Sequence, residues 1–187
     1  MSDLFKRENV LALLHEHTQN DALRKHAYAV EAAMRAAAAR TGNDPESWGA
    51  AGLIHDFDYE IYPQAPEHAN EGAKILRARG YPEEFVRIVM SHADYTGVPR
   101  DNDCAKWLFA VDELCGFCMA CAMVQPDRKI ASVKVESVKK KLKKKDFAAK
   151  VNREEIAQGA EQLGVPIEEM IAHVLGALVG VAGELGL

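Results

Sequence analysis

The sequence has no apolar run long enough to cross a bilayer: its most apolar stretch, Ile171 to Gly183, is thirteen residues long and is interrupted by His173, where a spanning helix needs about twenty. Its first residues, MSDLFKRENV, lack the charged-then-apolar pattern of a secretory signal. The expected location is therefore the cytoplasm, with the four cysteines present as reduced thiols. There is no GxSxG elbow, no phosphate-binding glycine loop and no dinucleotide fingerprint, so serine-hydrolase, P-loop and Rossmann chemistries have no motif to rest on. Runs of β-branched residues are few, and internal repeats, low-complexity linkers and a second domain boundary are absent. These absences predict a single all-α domain, a helical bundle spanning residues 1–187.

What is present is an ordinary globular composition with 48% hydrophobic residues. A chain of this size buries roughly 70% of its unfolded surface, so the core needs neither disulfides nor a structural metal, and any metal must be argued from chemistry. Charge is unevenly spread. Residues 128–153 hold eleven Lys or Arg against two acids, a local +9, which leaves −14 for the rest of a chain of net −5. The acidic remainder argues against a general nucleic-acid binder, while the basic stretch can attract an anionic substrate or partner. For the run Lys139 to Lys145 the simplest reading is a solvated helix face.

Helical periodicity divides the chain as follows. A first helix covers about Leu4 to His17, and a second runs from Asp21 to Arg40, with an apolar stripe at Leu23, Ala27, Val30, Met34 and Ala37 and a stop at Gly42. Asp44 caps a helix opened by Pro45 and reaching about Phe57. After Pro63 and Pro66 come helices over Glu67 to Arg79 and from Pro82 to near Ala93, then a loop over Tyr95 to Asn102. Asp101 or Asp103 is expected to cap a long helix to about Val124, and the last helices cover Phe147 to Leu163 and the stretch from Glu168 onward.

Polar residues on apolar stripes carry the functional information, because a buried polar group must find a partner. His26 lies three residues after Leu23 and four before Val30; His68 precedes Gly72 and Ile75; His92 follows Phe85 and Ile88; Asp112 lies between Leu108 and Cys115. The doublet His55-Asp56 ends the helix AAGLIHDFDYE. Neighbouring helical residues diverge by about 100°, so both serve one site only at a helix end. Imidazoles and carboxylates converging from several helices are what a hydrolytic divalent-metal site needs.

The order His26, His55-Asp56, His68, His92, Asp112 resembles the HD-domain superfamily of metal-dependent phosphohydrolases, over at least residues 21–124. Residues 127–187 would then be a C-terminal helical extension. The resemblance implies that His26, His55, Asp56 and Asp112 hold one ion and that His68 and His92 hold a second, with Asp56 bridging and Asp56 and His55 at the catalytic centre. EHANEGAKIL is similar to the His-x-x-x-Gly-Ala segment of binuclear members, and GLIHDFDYE, SHADYTG and FAAKVNREEI look like a bacterial group of stand-alone HDIG-type hydrolases. Here the doublet is followed by Phe57-Asp58 rather than Ile-Gly, and the Gly-Tyr-Pro signature of cyclic dinucleotide phosphodiesterases is absent.

The implied cofactor is a divalent metal, two ions of Fe, Mn or similar. The implied substrate is a small phosphorylated metabolite, a nucleotide among the candidates. Arg153, Lys106 and Asp94 are expected to contact it, with Arg128 and Lys129 as further cations and Asp58 as a supporting carboxylate. Two rivals share the scaffold: a binuclear-iron oxygenase, and a non-catalytic regulatory or binding module docking through the basic segment. Cys115, Cys118 and Cys121 have iron-sulfur-like spacing but lack a nearby fourth cysteine and the following proline, so they are expected to pack in the core. His15 and His17 are expected at the surface, and His173 is expected to pack in the core or at a helix interface.

Overall fold

The computed structural model describes residues 3–187, which form helices and no strand. After a short 3-10 turn at Asp3–Phe5 come α1 (Arg7–His17), α2 (Asp21–Thr41), α3 (Pro45–Ile54), α4 (Glu67–Ala78), α5 (Glu83–Met90), α6 (Asp103–Met123), α7 (Val135–Leu142), α8 (Arg153–Leu163), α9 (Ile167–Gly180) and α10 (Ala182–Leu185). No single helix among these residues is long and apolar enough to cross a membrane.

Side chains cap the helices that frame the site. Asn20 accepts hydrogen bonds from the N–H groups of Ala22 and Leu23 at the start of α2, and Asp44 does the same for Glu46 and Ser47 at the start of α3, with Pro45 in the first helical position. α6 is capped by Asn102, whose side chain accepts from the Ala105 N–H at 2.9 Å, rather than by Asp101 or Asp103. α8 begins six residues later than its apolar pattern suggests, because Asn152 caps it and residues 147–151 form turns. α3 ends at Ile54, so the His55-Asp56 doublet lies at its end and in the following turn.

α2 runs through the bundle, packed against α3, α6 and α9, while α8 covers α6. Val30, Ala33, Met34, Leu108, Val111 and Leu114 meet there with no exposed surface, each large apolar side chain contributing about 1.5–3 kcal/mol by burial. Gly52 lets α3 approach α2 closely: a Cβ there would lie 2.8 Å from the carbonyl oxygen of Val30. That approach brings the end of α3, and with it His55, toward His26 on α2. Cys115, Cys118 and Cys121 are buried free thiols, and His173 reaches the Ala33 carbonyl oxygen at 3.0 Å. On α7, Val138 is buried and Lys140 exposed, and the following Lys143 to Lys145 are exposed as well, in keeping with a solvated basic face.

Candidate metal centre

Five helices deliver the histidines and aspartates to one place. His26 projects from the second turn of α2 and Asp112 from the middle of α6, 2.9 Å apart between Nε2 and Oδ1. His55, fully buried at the end of α3, turns its Nε2 to within 3.3 Å of the same Asp112 oxygen. His68 stands at a break in α4, where it is extended (φ −52°, ψ 146°) and Ala69 is left-handed (φ 59°). His92 lies just beyond α5. The Nε2 atoms of His68 and His92 are 3.3 Å apart, and each is 3.1 Å from Asp56 Oδ1.

The result is two groups of three donors, His26, His55 and Asp112 in one and Asp56, His68 and His92 in the other, each with its ligand atoms within 4.8 Å of one another. Asp56 stands between them: Oδ1 faces His68 and His92, while Oδ2 is 3.5 Å from His55 Nε2. One carboxylate with an oxygen toward each group is the arrangement a bridging ligand requires.

The far side of three rings is fixed. Nδ1 of His55 donates to the Gly52 carbonyl oxygen at 2.8 Å, Nδ1 of His92 to that of Val89 at 2.6 Å, and Nδ1 of His68 to Asp58 Oδ1 at 3.1 Å. With the proton held on Nδ1, a neutral ring presents the bare Nε2 lone pair to the centre, as metal-binding histidines do. His55 Nε2 is buried with no hydrogen-bond partner, and the paired Nε2 atoms of His68 and His92 face each other. These donors, with two carboxylates among them, fit divalent cations of the kind that imidazole and carboxylate together select.

The same geometry shows what Phe57-Asp58 does after the doublet. Phe57 is buried without exposed surface, and the Thr18 hydroxyl donates to its carbonyl oxygen at 3.0 Å. Asp58 is buried, holds His68 with one oxygen and accepts the Gly72 N–H at 2.9 Å with the other. A Cβ on Gly72 would lie 2.8 Å from the Asp58 carboxyl carbon, which explains the glycine four residues after His68.

Electrostatics favour positive charge here. Burial opposes protonation of His55, but the carboxylates of Asp56 and Asp112 overcome it and raise its pKa to about 10. Burial likewise opposes protonation of His68, and Asp56 and Asp58 raise it to about 9. Burial works against ionisation of Asp56 and Asp112, yet the facing imidazoles hold both well below the usual carboxylate range.

The centre opens into a cavity of about 430 Å³ whose wall includes Tyr59, Tyr95, Asp94, Glu113, Glu155 and Lys150. Burial, with the neighbouring Asp112 carboxylate, pushes Glu113 up to about 7. Of the expected substrate contacts, Asp94 reaches the wall, where its carboxylate also pairs with Arg100 at 2.7 Å. Lys106 instead borders a separate concavity with Arg100 and Gln162, and Arg128 and Lys129 do not line the cavity.

Arg153 also stands off the cavity wall. Its guanidinium donates to the carbonyl oxygens of Leu142, Lys144, Phe147, Ala148 and Val151 and lies over the Phe117 ring, 5.3 Å from its centroid. A fork with five donors can gather several carbonyls of one turn, two of which, those of Lys144 and Ala148, also accept backbone N–H groups. The residues that spacing did not single out are Lys150, Glu113 and Glu155: Lys150 lies three residues before Arg153, in the stretch FAAKVNREEI, and the two glutamates look like ordinary helix-surface acids.

Residues 23–115 match the family model of the HD domain. The chain belongs to the HD-domain superfamily, whose members are mostly metal-dependent hydrolases. No curated protein and no solved structure matches it.

Proposed function

We propose that this protein is a metal-dependent phosphohydrolase that transfers the phosphoryl group of a small phosphorylated metabolite to water. The observation that carries this reading is Asp56 standing between two three-donor groups whose histidines His55, His68 and His92 are each pinned at Nδ1. His26, His55 and Asp112 would hold one divalent ion and His68 and His92 the other, with Asp56 shared. Such ions supply a water of lowered pKa and a clamp on phosphoryl oxygens.

The chain's own residues do the rest. Val89 O, Gly52 O and Asp58 fix the rings so that their Nε2 atoms converge without reorganisation. The Tyr95 hydroxyl donates to the His68 carbonyl oxygen at 3.2 Å and steadies the break in α4 beneath the ring. Asp112 is about one-fifth exposed, so water and substrate reach the centre from the cavity rather than through the core.

The test is elemental analysis of the purified protein, followed by phosphate release from a panel of nucleotides and other phosphate esters, with oxygen consumption followed in parallel. About two equivalents of Fe, Mn or a similar ion, with phosphate release that ceases on chelation and returns on reconstitution, is the expected result. A protein that takes up no metal overturns the reading. Oxygen consumption without phosphate release transfers the site to the oxygenase class.

A further inference from the structure

Acids predominate among the charged side chains on the wall of the cavity over the metal centre. Asp94, Glu113 and Glu155 line it together with Asp56 and Asp112, and Lys150 is the one Lys or Arg side chain among the described residues on that wall. The acids are engaged: Asp94 pairs with Arg100, Glu113 accepts the Asn152 N–H at 3.1 Å, and Glu155 accepts from the Asn152 side chain at 2.7 Å. Lys150 is exposed, and its ammonium makes no hydrogen bond or ion pair with any described residue. Elsewhere in the basic segment, Lys139 pairs with Glu168 and Lys141 donates to the Ser137 hydroxyl.

The place of Lys150 is set by Arg153. The carbonyls held by that guanidinium belong to Leu142, Lys144, Phe147, Ala148 and Val151, on both sides of Lys150 in the chain. Arg153 thus closes the segment between α7 and α8 into a fixed loop, and Lys150 and Val151 meet the cavity at its rim.

Resting on the phosphohydrolase reading, we infer that Lys150 is the cation that binds the substrate's phosphate, that Arg153 positions it, and that the acidic wall restricts the cavity to substrates carrying a single phosphate. A free ammonium beside the metal groups supplies a charge-assisted contact to a phosphate oxygen. Asp94, Glu113 and Glu155 give the rest of the wall carboxyl groups and no second Lys or Arg to hold a further phosphate, so a nucleoside monophosphate or sugar phosphate fits where a di- or triphosphate does not.

The experiment uses the full chain loaded with Mn. Calorimetry measures binding of inorganic phosphate, and kinetics compares a monophosphate with its di- and triphosphate homologues. Lys150→Ala should weaken phosphate binding and raise KM by about tenfold or more, with kcat changed less, as expected for loss of a charged hydrogen bond. Lys150→Arg should recover most of that loss, and Lys145→Ala should match the parent protein. Arg153→Ala should raise KM in the parent and add little once Lys150 is already Ala, the signature of a residue acting through another.

Phosphate binding unchanged in Lys150→Ala, or a preference for the triphosphate, overturns the inference. Because the isotherm needs no turnover, it decides the role of Lys150 even if no ester is hydrolysed, whereas absence of hydrolysis would count against the phosphohydrolase reading itself.

Discussion

His26 and Asp112 stand within regular stretches of helices of 21 residues each, His26 in the second turn of α2 and Asp112 in the middle of α6, whereas His68 and His92 stand where helices break or end. The two donor groups are therefore positioned by different means. In the first, the ladder of backbone hydrogen bonds in α2 and α6, locked by core packing on either side, fixes where His26 and Asp112 point, and only His55, at the end of α3, is aimed by a partner at its far nitrogen, the Gly52 carbonyl. In the second, the backbone is irregular, and the rings are aimed by partners at their far nitrogens: Asp58 for His68 and the Val89 carbonyl for His92. A site can be carried on regular scaffold or on pinned irregular scaffold. The second kind depends on residues that touch no ligand.

The strongest way to break this comparison is to remove the residue common to both halves. Asp56→Ala takes away the carboxylate that faces His68, His92 and His55, so phosphate release should fall to background and the metal content should drop from two equivalents toward one or none. The helical circular-dichroism signal should persist, since Asp56 lies in a turn outside the helices. His68→Ala, by contrast, should cost one equivalent while the His26 group keeps its own. Retained turnover in Asp56→Ala would show that the two groups do not act as a unit.

A smaller effect isolates the pinning. Asp58 touches the second group alone, through His68 Nδ1, and also accepts the Gly72 N–H. Asp58→Asn keeps the volume but loses the negative charge behind the ring, and changes of this kind weaken metal affinity by about 10–100-fold. Metal titration should show one of two equivalents weakened and the other unmoved. Equal weakening of both would mean that the halves are mechanically coupled and that the contrast between them is superficial.

This contrast also governs how much was legible in the sequence. His26 and Asp112 sit on apolar stripes of period 3.6, so periodicity alone places them inward, and the stop of α2 follows from Gly42. The approach of His55 to His26 depends on Gly52 meeting the backbone of α2, a contact between elements that no local pattern encodes. His68 is in an extended conformation beside a left-handed Ala69, so its helical spacing to Gly72 and Ile75 does not describe how it reaches the centre. Arg153 looked like a substrate clamp because charge is visible in a sequence and carbonyl partners are not. The loop it closes also hid Lys150, since a free cation becomes distinctive only once its neighbours are seen to be paired or turned elsewhere.

The smallest effect concerns a histidine that belongs to neither group. His173 donates from Nε2 to the Ala33 carbonyl oxygen at 3.0 Å and packs 4.8 Å from the Trp107 ring centroid. Burial lowers its pKa, the Ala33 contact opposes that, and Arg40 adds to the lowering. The shift is thus opposite in direction to those of His55 and His68. A folded-state pKa below the unfolded value of about 6.5 means that the unfolded chain takes up this proton first as pH falls. The contribution of neutral His173 is therefore complete above that value and is lost as pH drops through the folded pKa. His173→Gln keeps a donor for Ala33 and removes the titration. With the metal held saturating and constant, melting temperatures of the two proteins measured from pH 8 to pH 5 should run parallel at the alkaline end and converge toward the acid end, by a few degrees at most. Parallel curves throughout would show that His173 titrates alike in the folded and unfolded chain, and that only histidines facing carboxylates respond to this fold.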